Sequence, residues 1–184
     1  MVIVFGPAGA GKTVQGKLLA AQKKWQWISA GQLLRNDSDP EILKIISAGG
    51  LVPGKKIEDL ITDAFEKADD VDRIVLDGFP RQVEEADWFL KRSPFKDYLI
   101  DAIILIEINK EEIIKRLLLR ARADDTPQAI AERLEIYHDK MKPVLDFFMK
   151  NGVRIIHIDG MGTIEQVHDR IIEELNKCKK LGKS

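Results

Sequence analysis

The chain has 184 residues, of which 45% are hydrophobic and 32% are charged, and its formal net charge is −1. A chain of this length forms one domain without a disulfide or metal, and its balanced charge argues against a nucleic-acid-binding protein with a strongly basic face. No apolar run approaches the roughly 18 residues of a membrane span. Residues 1–5 lack the basic start of a signal peptide, and the single Cys178 cannot form an internal disulfide. We therefore expect a cytoplasmic protein.

Short apolar runs alternate with longer helical patterns along the chain. The apolar runs predict strands at Val2–Phe5, Trp25–Ser29, Arg73–Asp77, Asp101–Ile108 and Val153–Ile158. The helical patterns predict helices at Lys12–Gln22, Glu41–Ala48, Lys55–Lys67, Val83–Lys91, Lys110–Arg120, Gln128–Lys150 and Ile164–Lys177. This alternation is typical of an α/β fold with helices on both faces of a parallel sheet. Pro143 lies inside the longest helix and predicts a kink or break near Lys142, because proline donates no backbone hydrogen bond.

Residues 6–13 read Gly-Pro-Ala-Gly-Ala-Gly-Lys-Thr and fit the pattern G-x-x-x-x-G-K-[ST] without a mismatch. An apolar strand precedes this segment and a helical pattern follows it, as a phosphate-binding loop requires. Glycines let the backbone turn so that several N–H groups point at phosphate oxygens. Lys12 then reaches the terminal phosphates, and the Thr13 hydroxyl binds Mg²⁺. The motif alone does not separate kinases from ATPases, GTPases and helicases.

The predicted strand at 73–77 ends in a carboxylate, Asp77. In phosphate-loop folds such an aspartate lies beside the loop and binds Mg²⁺ directly or through water. We therefore expect Thr13 and Asp77 to form the magnesium site. One cysteine cannot supply the usual Cys/His ligand set of a zinc site, so no zinc is expected.

The segment Asp77-Gly78-Phe79-Pro80-Arg81 resembles the corresponding segment of the nucleoside monophosphate kinases, and most closely that of the adenylate kinases. Further stretches resemble segments of that family in the same order, so the resemblance spans essentially the whole chain. They are residues 6–15, 28–35, 49–53, 122–125 and 133–138. The resemblance implies a three-layer phosphate-loop fold with a five-stranded parallel sheet in a single domain over residues 1–184. It also implies a small helical monophosphate-binding arm at about residues 30–59 and a vestigial lid at about residues 120–125.

The resemblance further implies which residues bind the two nucleotides. On the ATP side they are Gly9, Ala10, Gly11, Lys12, Thr13, Val14, Arg116, Arg120 and Gly162. On the AMP side they are Ala30, Arg35, Ile46, Gly50, Leu51, Val52, Gly78, Arg81 and Glu85. The implied catalytic residues, which gather around the transferred phosphoryl group, are Lys12, Arg81, Arg120, Arg122 and Arg133.

Arginines suit this reaction for a physical reason. Phosphoryl transfer passes through a loose transition state whose charge lies on oxygen atoms, so the catalyst needs fixed cations rather than a nucleophile. Arginine supplies a rigid bidentate fork that stays charged. The acceptor phosphate is already anionic and needs no general base, so the three histidines need no catalytic role. His157 is expected in the core or at a strand edge. We therefore expect reversible transfer of the terminal phosphoryl group of ATP to AMP, giving two ADP, with Mg²⁺.

Two departures from the family pattern concern the donor side. A single residue, Ala121, separates Arg120 from Arg122, where even relatives with short lids carry several. Because lid closure excludes water, we expect a measurable ATP hydrolysis without acceptor. Val14 stands where the family has threonine, which leaves Thr13 as the hydroxyl for Mg²⁺.

Two more departures concern the acceptor. Ala30 replaces the usual threonine, as is typical of uridylate and cytidylate kinases, and Glu85 replaces the glutamine that reads the adenine of AMP. A cytidylate or uridylate kinase is therefore the alternative, and a P-loop ATPase or a nucleotide-binding regulator are rivals from other classes. A carboxylate at position 85 accepts from the amino groups of adenine and cytosine and disfavours uracil and guanine.

Three consecutive leucines, at positions 117–119, sweep about 200° around a helix. This is wide for one core stripe. Core packing is the favoured explanation, and self-association through a surface without a lid is the alternative. We therefore expect a monomer or a small homo-oligomer that binds small-molecule nucleotides and neither nucleic acid nor membrane.

Overall fold

Five parallel strands form the central sheet of the computed structural model, which describes residues 1–94, 97, 100–120, 122 and 125–181, and the side chains of all of these except 178–181. The strands are β1 (Val2–Phe5), β2 (Gln26–Ser29), β3 (Ile74–Asp77), β4 (Ala102–Glu107) and β5 (Ile155–Asp159). Their order across the sheet is β2-β3-β1-β4-β5, and each neighbouring pair is parallel. Every predicted strand is present, with ends that agree to within two residues.

Helices connect the strands. Within the described residues they are α1 (Lys12–Lys23), α2 (Ala30–Arg35), α3 (Pro40–Ser47), α4 (Gly54–Glu66), α5 (Val83–Lys91), α6 (Lys110–Arg120), α7 (Pro127–Lys150), α8 (Ile164–Leu181) and a short 3₁₀ helix (Val71–Arg73). Asp39 and Thr126 cap α3 and α7 with side-chain oxygens, and a proline follows each cap, where its missing N–H costs no hydrogen bond. None of these helices is both long and apolar enough to cross a membrane.

The helices cover both faces of the sheet, because successive strand residues point to opposite faces. Ile3 and Phe5 point to one face and pack there with side chains from α2, α3, α4, α5 and α7. Val2 and Val4 point to the other face and pack with α1 and α8. The result is the expected three-layer α/β fold, with a core on each side of the sheet.

A small third cluster joins α6 to the start of α7. Leu117 is fully buried there against Ile113 and Ile130. Its two neighbours are not buried, since Leu118 is 60% exposed and Leu119 is 76% exposed. Core packing therefore accounts for Leu117 and leaves the other two leucines on the surface.

The structure differs from the sequence pattern at two helices. Residues 30–35 form α2, which was not predicted, because six residues are too few to show a helical period; buried Leu34 anchors it. Helix α7 continues through Pro143, so the break expected near Lys142 does not occur. Val144 and Phe148, both fully buried, pack this half of α7 against the sheet and stabilise it despite the proline.

Candidate active site

A large cavity opens at the carboxyl ends of the central strands. Its volume is about 710 Å³, and residues of the phosphate loop, β3, α2, α3, α6, α7 and the β5–α8 loop line it. In doubly wound sheets, ligands bind at this edge because the loops that leave the strands diverge there. The fold therefore brings together segments that are far apart in the sequence.

The phosphate loop connects β1 to α1. Gly6, Gly9 and Gly11 have φ angles of 148°, 84° and 94°, which L side chains rarely adopt. A β-carbon on Gly9 would also lie 3.1 Å from the carbonyl oxygen of Ile113. The loop conformation and its contact with α6 thus both require glycine.

Lys12 lies over this loop. Its Nζ donates to the carbonyl oxygens of Gly6, at 2.7 Å, and Pro7, at 2.8 Å. Burial lowers the pKa of Lys12 to about 8, and the positive charge of Arg81 acts in the same direction while Asp77 opposes it. The charges of Lys12 and Arg81 are therefore close enough to influence each other.

Thr13 and Asp77 are in direct contact. The hydroxyl of Thr13 donates to Oδ2 of Asp77 at 2.9 Å, and Asp77 is 2% exposed. The contact follows from the sheet order, because β3 lies next to β1 and Asp77 pairs with Val4. The two residues expected to hold Mg²⁺ thus present their oxygens side by side under the phosphate loop.

One buried carboxylate gathers three arginines from α6, α7 and the segment between them. The side chain of Asp125 is 1% exposed. It accepts from Nε of Arg120 at 2.8 Å and from Nη1 of Arg133 at 3.0 Å, and the backbone N–H of Arg122 donates to it at 3.3 Å. Burial alone would raise the pKa of Asp125, but the hydrogen bonds and charge of Arg120 outweigh it and hold that pKa below its usual range.

Arg81 lies in the turn between β3 and α5. Its Nε donates to the carbonyl oxygen of Gly78 at 2.9 Å. Burial lowers the pKa of its guanidinium, and Glu85 and Asp77 oppose that shift. Arginine stays charged under these conditions, so Arg81 presents a fixed cation to the cavity.

Glu85 is buried in the first turn of α5. Its Oε2 accepts from the backbone N–H of Arg81 at 2.7 Å, and its Oε1 accepts from Nε2 of Gln82 at 3.2 Å. This arrangement resembles half of a capping box, in which the third helical residue reaches back to the chain before the helix. Burial raises the pKa of Glu85 above its usual value, although the hydrogen bond from the Arg81 N–H offsets part of this shift.

The last turn of α3 and the segment after it touch the start of α7. Nη2 of Arg133 donates to the carbonyl oxygen of Ile46 at 3.1 Å. Gly49, with a φ of 87°, is so close that a β-carbon there would lie 2.6 Å from the carbonyl oxygen of Ala129. These two contacts join α3 to α7 beside the cavity, which Ile46, Gly49 and Arg133 all line.

One end of the cavity lies between α6 and the β5–α8 loop. Arg116 donates from Nε to Glu112 at 2.8 Å and from Nη2 to the carbonyl oxygen of Gly160 at 3.0 Å. Its planar guanidinium is held at both ends. Gly162, in the same loop, lines the cavity with its backbone.

The structure brings most of the sequence-predicted residues to this cavity. Its lining includes Gly9, Ala10, Gly11, Lys12, Thr13, Val14, Arg35, Ile46, Gly50, Leu51, Asp77, Gly78, Arg81, Arg116, Arg120, Arg122, Arg133 and Gly162. The other three line a neighbouring cavity of about 20 Å³ that shares Gly50, Leu51, Gly78 and Arg81 with the first; they are Ala30, Val52 and Glu85. Of the predicted lid, Ala121, Ala123 and Asp124 lie outside the described residues.

Sequence reasoning missed several residues at this site. Asp125 was seen only as part of a motif, although it contacts three arginines. Tyr137, Lys140 and Met141 line the cavity from α7. They follow Arg133 at helical spacing, four, seven and eight residues on, so the period of the helix was a signal that could have found them.

Cations from distant segments of the chain, between Lys12 and Lys140, line one cavity together with a phosphate loop, and this arrangement defines the class of P-loop nucleoside monophosphate kinases. Comparison with known proteins agrees, since the sequence model of the adenylate kinase family matches residues 4–153. The chain belongs to the adenylate kinase family.

Individual relatives match over nearly their whole length. The chain is 32% identical to an adenylate kinase of Mycobacterium ulcerans, with 96% of this chain and 99% of the relative covered. It is 34% identical to one of Corynebacterium aurimucosum, with 95% and 98% covered. It is 32% identical to one of Parabacteroides distasonis, with 97% and 98% covered.

Proposed function

We propose that this chain catalyses the reversible transfer of the terminal phosphoryl group of ATP to AMP, giving two ADP. One observation carries the proposal: the phosphate loop lines the same cavity as two arginines from other segments, Arg35 and Arg81. Two phosphate-bearing ligands can therefore meet end to end without leaving it. A hydrolase would need to place only one nucleotide and a water.

The donor binds with its phosphates in the loop at residues 6–13 and its base between Arg116 and the β5–α8 loop. Backbone N–H groups and the N-terminus of α1 stabilise the phosphate charge. Lys12 exchanges its two loop carbonyls for phosphate oxygens, which are stronger partners because they are charged.

The acceptor binds with its phosphate against Arg35 and Arg81. Arg81 is fixed by Gly78, so it orients the attacking oxygen with little motion of its own. Holding two reactants in line replaces a bimolecular encounter by an intramolecular one. Lys12, Arg120, Arg122 and Arg133 then surround the point of transfer and stabilise the charge that develops there.

The donor set at Thr13 and Asp77 suits Mg²⁺. A hydroxyl and a carboxylate offer hard oxygen ligands, and Mg²⁺ commonly takes only one or two from the protein and the rest from phosphates and water. When bound, the ion neutralises charge on the phosphate oxygens. Asp77 accepts a hydrogen bond from the Thr13 hydroxyl, which would leave the lone pairs of that hydroxyl for the ion.

The last turn of α3 and the segment after it replace part of the missing lid. Their contacts with Arg133 and Ala129 cover the cavity from the acceptor side. Water exclusion then depends on the arm at residues 30–59, which we propose closes over the acceptor, so ATP hydrolysis without acceptor stays measurable.

A coupled assay tests the proposal. ADP formation is followed with ATP and Mg²⁺ alone and after addition of AMP, CMP, UMP or GMP. We expect two ADP for each AMP consumed. Arg81→Ala should lower kcat and raise the KM for AMP, whereas the matched Arg73→Ala, in a surface ion pair, should change neither. A rate of ADP formation that none of the four monophosphates increases would indicate an ATPase. No ADP formation under any of these conditions would indicate a regulator.

CMP is the second candidate acceptor, because Ala30 and Glu85 line the recess beside Arg81. Glu85→Gln tests it. If Glu85 reads the base, the variant should raise the AMP-to-CMP preference by several-fold, since an amide donates as well as accepts. If Glu85 only caps α5, the variant should change stability and leave the preference unchanged.

The proposed setting is the cytoplasm, with ATP, AMP and ADP as the partners. Exposed Leu118 and Leu119 are the surface on which a small homo-oligomer would form. Light scattering at working concentration separates this from a monomer.

A further inference from the structure

The β5–α8 loop, residues 160–163, forms the wall of the donor-base site opposite Arg116. Almost every polar backbone group of this loop has a partner. The Gly160 N–H donates to Glu107, its carbonyl accepts from Arg116, the Met161 N–H donates to Asp159 Oδ1, and the Thr163 N–H donates to Gln166. All four residues of this loop are described by the structure, and within the loop only the N–H and C=O of Gly162 have no partner.

The Met161 carbonyl is bound by Arg170, which reaches back from α8. Nη1 of Arg170 donates to the carbonyl oxygens of Met161, at 2.6 Å, and Asp159, at 2.7 Å. The same nitrogen lies 3.7 Å from Oδ2 of Asp159. Arg170 is 39% exposed and lies outside the lining residues of the cavity. It therefore acts on the loop and not on a ligand.

This contact determines which way the next peptide group points. The Met161 C=O and the Gly162 N–H belong to one planar trans peptide, so they point in opposite directions. Because Arg170 holds the C=O away from the cavity, the Gly162 N–H is directed into it. Gly162 has a φ of 101°, and glycine's freedom would otherwise allow this peptide to turn over at little cost.

We propose that Arg170 is a positioning residue for donor-base selection, which holds the Met161–Gly162 peptide so that its N–H, and not its C=O, faces the base. The proposal rests on the proposed function only in placing ATP at this end of the cavity. The 6-amino purine edge presents a ring nitrogen that accepts and an amino group that donates, which matches the N–H and C=O of Gly162. The 6-oxo purine edge presents the reverse pattern and matches the peptide only after it turns over.

Direct binding of the β,γ-imido analogues of ATP and GTP, measured by calorimetry, tests this without turnover. In Arg170→Ala we expect the affinity for the ATP analogue to fall about tenfold, the equivalent of one charge-assisted hydrogen bond, while that for the GTP analogue changes less than twofold. Arg170→Lys keeps a charged donor and should fall between wild type and Arg170→Ala. Arg154→Ala is the matched control, because Arg154 is an exposed arginine at the opposite end of β5.

Steady-state kinetics add a second measurement. The KM for ATP should rise in Arg170→Ala while kcat and the KM for AMP hold, which a general loss of stability would not produce. Equal changes for both analogues, or no change in either, would overturn the proposal. If Arg170→Ala does not fold, the ratio of the affinities for the ATP and GTP analogues in Arg170→Lys tests the proposal instead. A wild type that fails to phosphorylate AMP would refute the proposed function and still leave this binding ratio to be measured.

Discussion

The phosphate loop and the arginine cluster around Asp125 handle the same kind of charge but are built in opposite ways. The loop is eight consecutive residues whose glycines adopt positive φ angles, a conformation that lets successive N–H groups point at one anion. The cluster takes Arg120 from α6, Arg133 from α7 and the backbone of Arg122 from between them, and a single carboxylate holds them. A short segment can encode the first device, whereas the second exists only once two helices pack.

Removing the charge of the loop should have the largest effect. Lys12→Ala leaves the backbone cradle in place but removes the cation that acts on developing charge, so kcat should fall on the order of 10³-fold with a smaller change in the KM for ATP. Coupled assays of ADP formation measure both constants. Lys23→Ala, at the exposed end of the same helix, is the control, and retention of most activity by Lys12→Ala would contradict the assignment.

Removing the carboxylate of the cluster should come next. In Asp125→Ala, Arg120 and Arg133 lose their shared partner and repel one another, so kcat should fall about 10²-fold. Asp139→Ala removes an exposed carboxylate from the helix that follows Asp125, α7, and should leave kcat unchanged. Thermal unfolding of both variants shows whether the loss is catalytic. A kcat within twofold of wild type would mean that Arg120 and Arg133 do not need Asp125 to hold their catalytic positions.

The pH dependence of activity should also distinguish the two regions. The phosphate loop carries Lys12, which can lose its proton in the accessible pH range, whereas the cations of the cluster around Asp125 are arginines, which stay charged. The pKa of Lys12 is lowered to about 8, so its charge is lost as pH rises through that value. In the free enzyme kcat/KM for ATP should then fall up to tenfold per pH unit above about 8. Between about pH 8 and the ordinary lysine pKa of 10.5, Lys12 is protonated in the unfolded chain but mostly neutral in the folded one. Its contribution to the free energy of unfolding therefore increases as pH rises through this range. A flat profile up to pH 9.5, with substrate titration corrected, would contradict this.

The contact between the arm and α7 should have the smallest effect. Gly49→Ala forces a β-carbon against the Ala129 carbonyl at a position with positive φ, so the arm must move away from Arg133. We expect the KM for AMP to rise about tenfold, the equivalent of roughly 1.4 kcal/mol, with more ATP hydrolysis in the absence of acceptor. Gly54→Ala is the matched control, because a β-carbon there meets no atom within 4 Å. An unchanged KM would show that the arm does not close through this contact.

The sequence predicted the strands, the phosphate loop and most helices because each depends on neighbouring residues. Asp77 was placed by the end of an apolar strand, and its contact with Thr13 follows from the strand order of the fold. Two local patterns were incomplete: α2 is too short to show a period, and Pro143 does not break α7, where Val144 and Phe148 are fully buried.

Contacts between distant segments were beyond the sequence alone. Arg170 matched no motif, yet it holds two carbonyls at the donor end of the cavity. Glu85 was expected to face a base, and the structure shows that its oxygens also accept from Arg81 and Gln82. The sequence determined the phosphate loop, since glycine conformations and strand–helix periodicity are local. Tertiary structure alone decided which carboxylate gathers the arginines and which side chain holds the β5–α8 loop, because a hydrogen bond depends on the distance and direction between atoms that packing brings together.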